Sequence, residues 1–328
     1  MATASPEAIE RLEALLDIGT PGPRRRMMII VNPYATTVSD RLKRLVVYAL
    51  RGSYEVTAID TEARNHATEL CRQAADEGYD VVVAFGGDGT VNEAANGLTG
   101  SETALTCLPG GRTNVYCRML GIPTDVVDAT EQLLRLAHGW EPRQVDVGLA
   151  GERCFLFSAG VGLDASVVKR VDAHPRLKAR MGEWYYTAIT LRTFHRPYLL
   201  HPPRLEATVD GQVVSGVSAF VQNGTPYTYF GDRPIVLDED GTLNNGVLSA
   251  AILERVSPLD LPTIAWRALS PRARLANHHR LRMVAGVERF QIRSLDDRPL
   301  PLQVDGDYIG DVGEVEFSVA AGGLRIVA

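Results

Sequence analysis

Three apolar runs, MMIIVNP from Met27, YEVTAID from Tyr54 and DVVVAFGGDG from Asp80, are separated by two stretches of helical spacing, SDRLKRLVVYAL and NHATELCRQAADEG. Strands joined through whole helices imply right-handed crossovers and a parallel sheet. In open sheets of this kind ligands bind beyond the carboxyl ends of the strands. Asn32, Thr61 and a glycine-rich turn stand at those ends, so all three are expected to face one cleft. A chain of 328 residues, 45% of them hydrophobic, exceeds the usual size of one compact core and predicts two domains.

The turn after the third run places Gly86, Gly87 and Gly89 around Asp88 and leads into a helix with Thr90 and Glu93. Glycines at a strand-to-helix turn let backbone N–H groups approach a phosphate, and the helix start favours negative charge. An aspartate there would repel phosphate unless it works through Mg²⁺ or an indirect hydrogen bond, which makes a phosphate site with a metal the economical reading. The alternative is a tight turn with a cap at Asp88 or Thr90. A second glycine turn follows at LPGGRTNVYCRMLGIP, where Arg118 can set its guanidinium against phosphate oxygens and Asn114 can bond the nucleotide or its substrate.

A net charge of −6 argues against nucleic acid as the partner. The four cysteines form no close CxxC pair, which speaks against zinc and a disulfide framework and for a reducing cytoplasm. No run reaches the roughly 18 apolar residues of a spanning helix. The first residues, MATASPEAIERLEALLDIG, are too acidic and amphipathic for a signal peptide, and Ile9, Leu12 and Leu16 predict a short helix against the body.

The motifs VNPYATT, Thr61 with NHA at 65–67, GGDGTVNE, PGG followed by Asn114 and Arg118, and QVDVG with FSAGVGLDA occur in this order. Together they resemble the diacylglycerol kinase catalytic family, its bacterial lipid-kinase branch above all. GGDG alone is shared with NAD kinases; Asn92-Glu93 and the PGG block favour the lipid kinases. The resemblance implies an α/β fold: an N-terminal Rossmann-like parallel-sheet nucleotide domain, a C-terminal β-sandwich-like domain and an ATP site in the cleft between them. Short alternating segments in the second half, from RLEATVDG to EVEFSVA, fit a β-sandwich independently. The expected division is an arm over 1–25, a nucleotide domain over 26–142 and a lipid-binding domain over 143–328, with room for the last segment to return to the first domain.

By the resemblance Asn32, Thr61, Gly86, Gly87, Gly89, Thr90, Gly111, Asn114 and Arg118 hold ATP with Mg²⁺ at Asp88, and Glu93 supports the turn. Asp305 in LQVDGDYIG becomes the general base, although Asp-Gly between strands is also a strong hairpin signal. Asp146 and Asp164 are candidates to orient the substrate or shape the cleft. Three departures stand out: Arg112 in the second turn, Asn244 and Asn245 where relatives carry acidic residues near a structural metal, and DGD in place of DGE. Asp238 and Asp240 are then the remaining acidic candidates for that metal loop. His66 beside Asn65 suits capping as well as catalysis.

Two stretches carry excess positive charge: Val167–Leu205 holds eight Lys and Arg against two acidic residues, and Trp266–Arg293 seven arginines against Glu288. Both are interleaved with aromatics, which suits either an anionic membrane face or ordinary solvated helices with aromatic anchors. The expectation is a cytoplasmic lipid kinase that visits the inner membrane face and phosphorylates diacylglycerol, with a homodimer left open. The rivals are a sphingoid or other lipid kinase, an NAD kinase-like enzyme and a non-catalytic nucleotide or lipid sensor.

Overall fold

A computed structural model describes residues 24–35, 38–137, 139–172, 202–255, 257, 259–270 and 273–328. The N-terminal helix expected around Leu12, and most of the basic and aromatic stretch that begins at Val167, lie outside the described residues.

The first half alternates as its sequence predicts: β1 (Arg26–Val31), α1 (Asp40–Leu50), β2 (Glu55–Asp60), α2 (His66–Asp76), β3 (Val81–Gly86), α3 (Asp88–Leu98) and β4 (Ala104–Pro109). The four strands pair in parallel in the order β2-β1-β3-β4. β3 and β4 are buried along their whole length, which is why their sequences are unbroken apolar runs, whereas edge strand β2 mixes polar and apolar residues. The short α4 (Val115–Met119) and α5 (Val126–Leu136) complete this half. Asp125 caps α5 through the N–H groups of Val127 and Asp128, and buried Tyr54 donates to the Leu133 carbonyl at 2.7 Å.

The second half contains β5 (Arg143–Ala150), β6 (Arg153–Phe155), β7 (Ser158–Val161), α6 (Leu163–Asp172), β8 (Leu205–Val209), β9 (Gln212–Gly216), β10 (Ser218–Gln222), β11 (Thr228–Phe230) and β12 (Arg233–Ile235). After these come β13 (Leu248–Leu253), α7 (Leu261–Leu269), β14 (Leu281–Val287), β15 (Arg289–Ser294), β16 (Leu300–Val304), β17 (Asp307–Val312) and β18 (Glu314–Ile326). A six-stranded sheet in the order β14-β13-β10-β7-β16-β17 packs on a larger one. The core between them includes Phe155, Phe290 and Phe317, with Phe290 stacked on Phe317 at 5.2 Å between centroids.

The larger sheet is not confined to the second half. β18 runs antiparallel to β5 and β15 and then meets β4 in parallel at Ile326 and Leu105. One ten-stranded sheet thus serves as the nucleotide-type sheet at one end and as one layer of the sandwich at the other. The second layer of the sandwich therefore belongs to a sheet shared by both halves, through the last segment. β18 can bend between its two roles because its pairing with β5 shifts register between Ala320 and Leu324, around Gly322 at φ +61°.

Candidate active site

The glycines of the two turns are explained first by backbone packing. Gly110 N–H donates to the Gly86 carbonyl at 2.7 Å. A Cβ on Gly110 would lie 2.8 Å from Gly86 Cα, and one on Gly111 2.9 Å from Gly87 Cα. A Cβ on Gly86 itself would strike the Thr90 side chain at 2.4 Å. The turns after β3 and β4 are therefore pressed backbone to backbone. Asp88 ties them further, since its Oδ1 accepts from Tyr116 N–H at 3.1 Å at the start of α4. Asn114, at φ +46°, supplies no side-chain cap to α4.

Three of the expected site residues have partners within the fold. Asn114 Oδ1 accepts from Gly111 N–H at 2.9 Å and its Nδ2 donates to the Gly111 carbonyl at 2.8 Å, so both ends lock its own turn. Arg118 donates to the Gly231 carbonyl at 2.9 Å and lies 3.5 Å over the Tyr229 ring, clamping the β11–β12 hairpin. Glu93 supports a different turn from the one expected: its carboxylate accepts from the N–H groups of Asn65 at 2.9 Å and Ala67 at 3.3 Å, capping α2. Asn65, at φ +65°, makes no side-chain cap, and His66 Nδ1 accepts from Glu62 N–H.

Asn32 and Thr90 do meet in the cleft, with Asn32 Nδ2 donating to Thr90 Oγ1 at 3.1 Å. Buried Thr61 closes β2, its N–H held by the Val31 carbonyl. α3 begins at Gly87 with no side chain capping it, which leaves the start of an eleven-residue helix open to an anion. Arg112, the first departure, is exposed.

The DGD motif separates into two aspartates with different surroundings. Asp305 and Gly306 form the two-residue turn of the β16–β17 hairpin, both at positive φ. The Asp305 carboxylate, 5% exposed, accepts four hydrogen bonds: from Leu156, Phe157 and Ser158 N–H and from Asn92 Nδ2, at 2.7, 3.0, 3.0 and 2.8 Å. Burial pushes it up to about 6 against the lowering effect of those donors. Four donors use the whole acceptor capacity of a carboxylate, so in this arrangement Asp305 fastens the hairpin and has no lone pair for an acceptor hydroxyl.

Asp307 stands instead at the glycine turn. A Cβ on Gly89 would lie 2.6 Å from its Oδ2. Asp88 is half-buried and is pushed up to about 6, chiefly by desolvation, with the Asp307 charge adding to the rise. Two carboxylates thus flank Gly89, a hard-oxygen pair that fits a divalent cation shared with phosphate oxygens. In the loop at 238–245, Asp238 accepts from Ser249 Oγ at 2.5 Å and from Asp240 N–H at 3.1 Å; among the described residues neither this pair nor Asp88 with Asp307 joins a group of three metal-type ligands.

The remaining aspartates hold structure together. Buried Asp146 accepts from Gly246 N–H at 2.7 Å and Gly322 N–H at 2.8 Å, fastening the β18 bend to the 238–246 loop. Each of its oxygens carries one backbone donor there. Asp164 accepts from Tyr227 O–H at 2.6 Å and Gln303 Nε2 at 2.7 Å, while Gln303 Oε1 accepts from Gly306 N–H at 2.9 Å. Asp164 is therefore linked to the Asp305 turn through Gln303.

Asn92, Gln303, Tyr227 and Arg153 were not singled out as site residues by sequence. Asn92 is fully buried, bonding Asp305 and the Cys154 carbonyl through Nδ2 and accepting from Arg153 Nη2 at 2.7 Å. Its place one turn into the helix after GGDG is the signal that could have found it.

Residues 26–149 match the diacylglycerol kinase catalytic domain. Over 293 residues the chain is 29% identical to the diacylglycerol kinase of Staphylococcus aureus (strain bovine RF122 / ET3-1), covering 88% of this chain and 87% of that protein. The same figures hold for the diacylglycerol kinase of strain MRSA252. A solved diacylglycerol kinase from Bacillus anthracis str. Sterne superposes with a TM-score of 0.71 over 92% of this chain and 96% of that one, at 22% identity, a likeness of fold.

Proposed function

We propose that this chain, whose residues 26–149 match the diacylglycerol kinase catalytic domain and which is 29% identical to a diacylglycerol kinase over 88% of its length, is a lipid kinase that transfers the γ-phosphoryl group of ATP to a lipid hydroxyl, with diacylglycerol the acceptor and phosphatidic acid the product. The observation that carries this reading is the pair of carboxylates, Asp88 and Asp307, on either side of Gly89 at an uncapped helix start. Asn32, Thr61, Thr90 and the two glycine turns form the nucleotide side of the site. Asp88 and Asp307 would hold Mg²⁺, which when bound neutralises phosphate charge.

Phosphoryl transfer asks little of the protein beyond positioning, electrostatics and a carboxylate near the attacking hydroxyl. Asp307, whose Oδ2 faces Gly89, is our candidate for that last part, with Asp305 and its four hydrogen bonds holding the turn beside it. Asp305, Asn92 and Gln303 then act as positioning residues for the hairpin that carries Asp307.

The two roles separate by mutation. Asp307→Asn is expected to lower kcat by about 10²-fold or more. Asp305→Asn is expected to lower Tm, because an amide cannot accept from all four donors. Near wild-type turnover in Asp307→Asn, together with dead but fully stable Asp305→Asn, would return the base to Asp305.

A further inference from the structure

α7 turns one face inward and the other to solvent. Ile264 packs with Leu163, Val217 and Leu253, while Leu259, Pro262 and Trp266, at helical spacing on the opposite face, are exposed. Leu259 is 86% and Trp266 58% exposed. Next to α7 lies β12, and Phe230 in the same β11–β12 hairpin is 41% exposed. An exposed Trp with an exposed Leu is poorly suited to water and well suited to a headgroup boundary, where an aromatic ring meets both apolar and wet surroundings.

The charge around this ridge is positive in balance. The acidic groups Asp260 and Glu239 are paired, Asp260 with Arg280 at 3.0 Å and Glu239 with Arg274 at 2.7 Å. Arg233, Arg255 and Arg282 are exposed and Arg267 half-exposed, against Glu254 and Asp232, the latter 3.5 Å from Arg118. This excess stands on a chain whose net charge is −6. The helix is also anchored: Thr263 Oγ1 lies 2.9 Å from buried His278 Nε2, and His278 Nδ1 accepts from Arg280 N–H. With both ring nitrogens engaged and Arg280 on Asp260, the Asp260, His278 and His279 cluster serves as a brace and not as a metal centre.

We propose that the ridge of Leu259, Trp266 and Phe230, with Arg233, Arg255 and Arg282 around it, docks this protein on an anionic bilayer. The face continues into the site. Arg118, on the helix that follows the second glycine turn, grips the hairpin at Tyr229 and Gly231, and Tyr227 at the hairpin root reaches Asp164 and Gln303 beside the Asp305 turn. A membrane-seated ridge thus sets the lipid surface next to the cleft. This placement rests on the lipid-acceptor reading above, but its test does not depend on turnover.

The full chain is to be sedimented with vesicles of phosphatidylcholine alone and with phosphatidylglycerol added, for wild type, Leu259→Ser/Trp266→Ser and Arg255→Glu/Arg282→Glu. Wild type is expected to bind the anionic vesicles preferentially. Either double variant is expected to lose about tenfold or more in partition, since burying a large apolar side chain is worth more than tenfold. Phosphoryl transfer to a short-chain acceptor dissolved below its micelle threshold should stay at the wild-type rate, which also shows that the variants fold. Unchanged vesicle binding by the variants, equal binding to neutral vesicles, or a wild-type dimer that Leu259→Ser/Trp266→Ser dissociates would each overturn the proposal. Loss of soluble-acceptor turnover in wild type itself would instead contradict the kinase reading.

Discussion

Asp88 and Asp305 are both raised to about 6 from 3.8 by burial. A carboxyl raised in the folded state binds more protons folded than unfolded between those values, so its contribution to stability falls as pH rises from about 4 to about 6 and is constant above. Activity is expected to run the other way. If Asp88 must be anionic to hold a cation, kcat/KM falls as pH drops through about 6. A pH series of Tm and kcat/KM should therefore show opposed slopes in that window, and Asp88→Asn should flatten its share of the Tm slope. Activity that stays flat down to about pH 5 would contradict the role given to Asp88.

Among the elements, the two glycine turns act as one unit. Gly110→Ala would set a methyl 2.8 Å from Gly86 Cα and 3.0 Å from Val38 Cγ2. A cost of about 1–3 kcal/mol in stability is expected from such overpacking, together with weaker nucleotide binding as the turns part. Gly139→Ala, which meets nothing within 4 Å, is the control and should change neither. Equal behaviour of the two variants in thermal melts and nucleotide titrations would mean that the contact between the turns is not what shapes the site.

This level also shows what sequence can and cannot reveal. The βαβ order and the Gly86–Gly89 turn were legible because period, length and glycine placement are local properties. The rank of Asp305 against Asp307 was not. Asp210-Gly211 makes the same two-residue, positive-φ hairpin turn as Asp305-Gly306, yet Asp210 is exposed and Asp305 buried. The difference lies in residues 156–158 and Asn92, far away in the chain. The same holds for Arg118 and Asn114, whose partners at Gly231 and Gly111 depend on how a hairpin and a turn happen to close.

Across the whole molecule, the sheet shared through β18 explains how distant segments meet in one cleft. The hairpin carrying Asp307 belongs to the six-stranded sheet packed on it and meets the turn carrying Asp88 at Gly89, where buried Asn92 and half-buried Arg153 bridge the halves. Sequence left room for the last segment to return to the first domain but not the pairing itself, because β18 alternates like any sandwich strand until its last residues. No helix among the described residues is long and apolar enough to cross a membrane.

Transfer of labelled γ-phosphate from Mg²⁺-ATP to diacylglycerol, sphingosine, a bacterial lipid extract and NAD, with Asp307→Asn run beside wild type, tests this most directly. Label on diacylglycerol that vanishes in the variant is the expected result. Label on NAD, or on no acceptor at all, would contradict it.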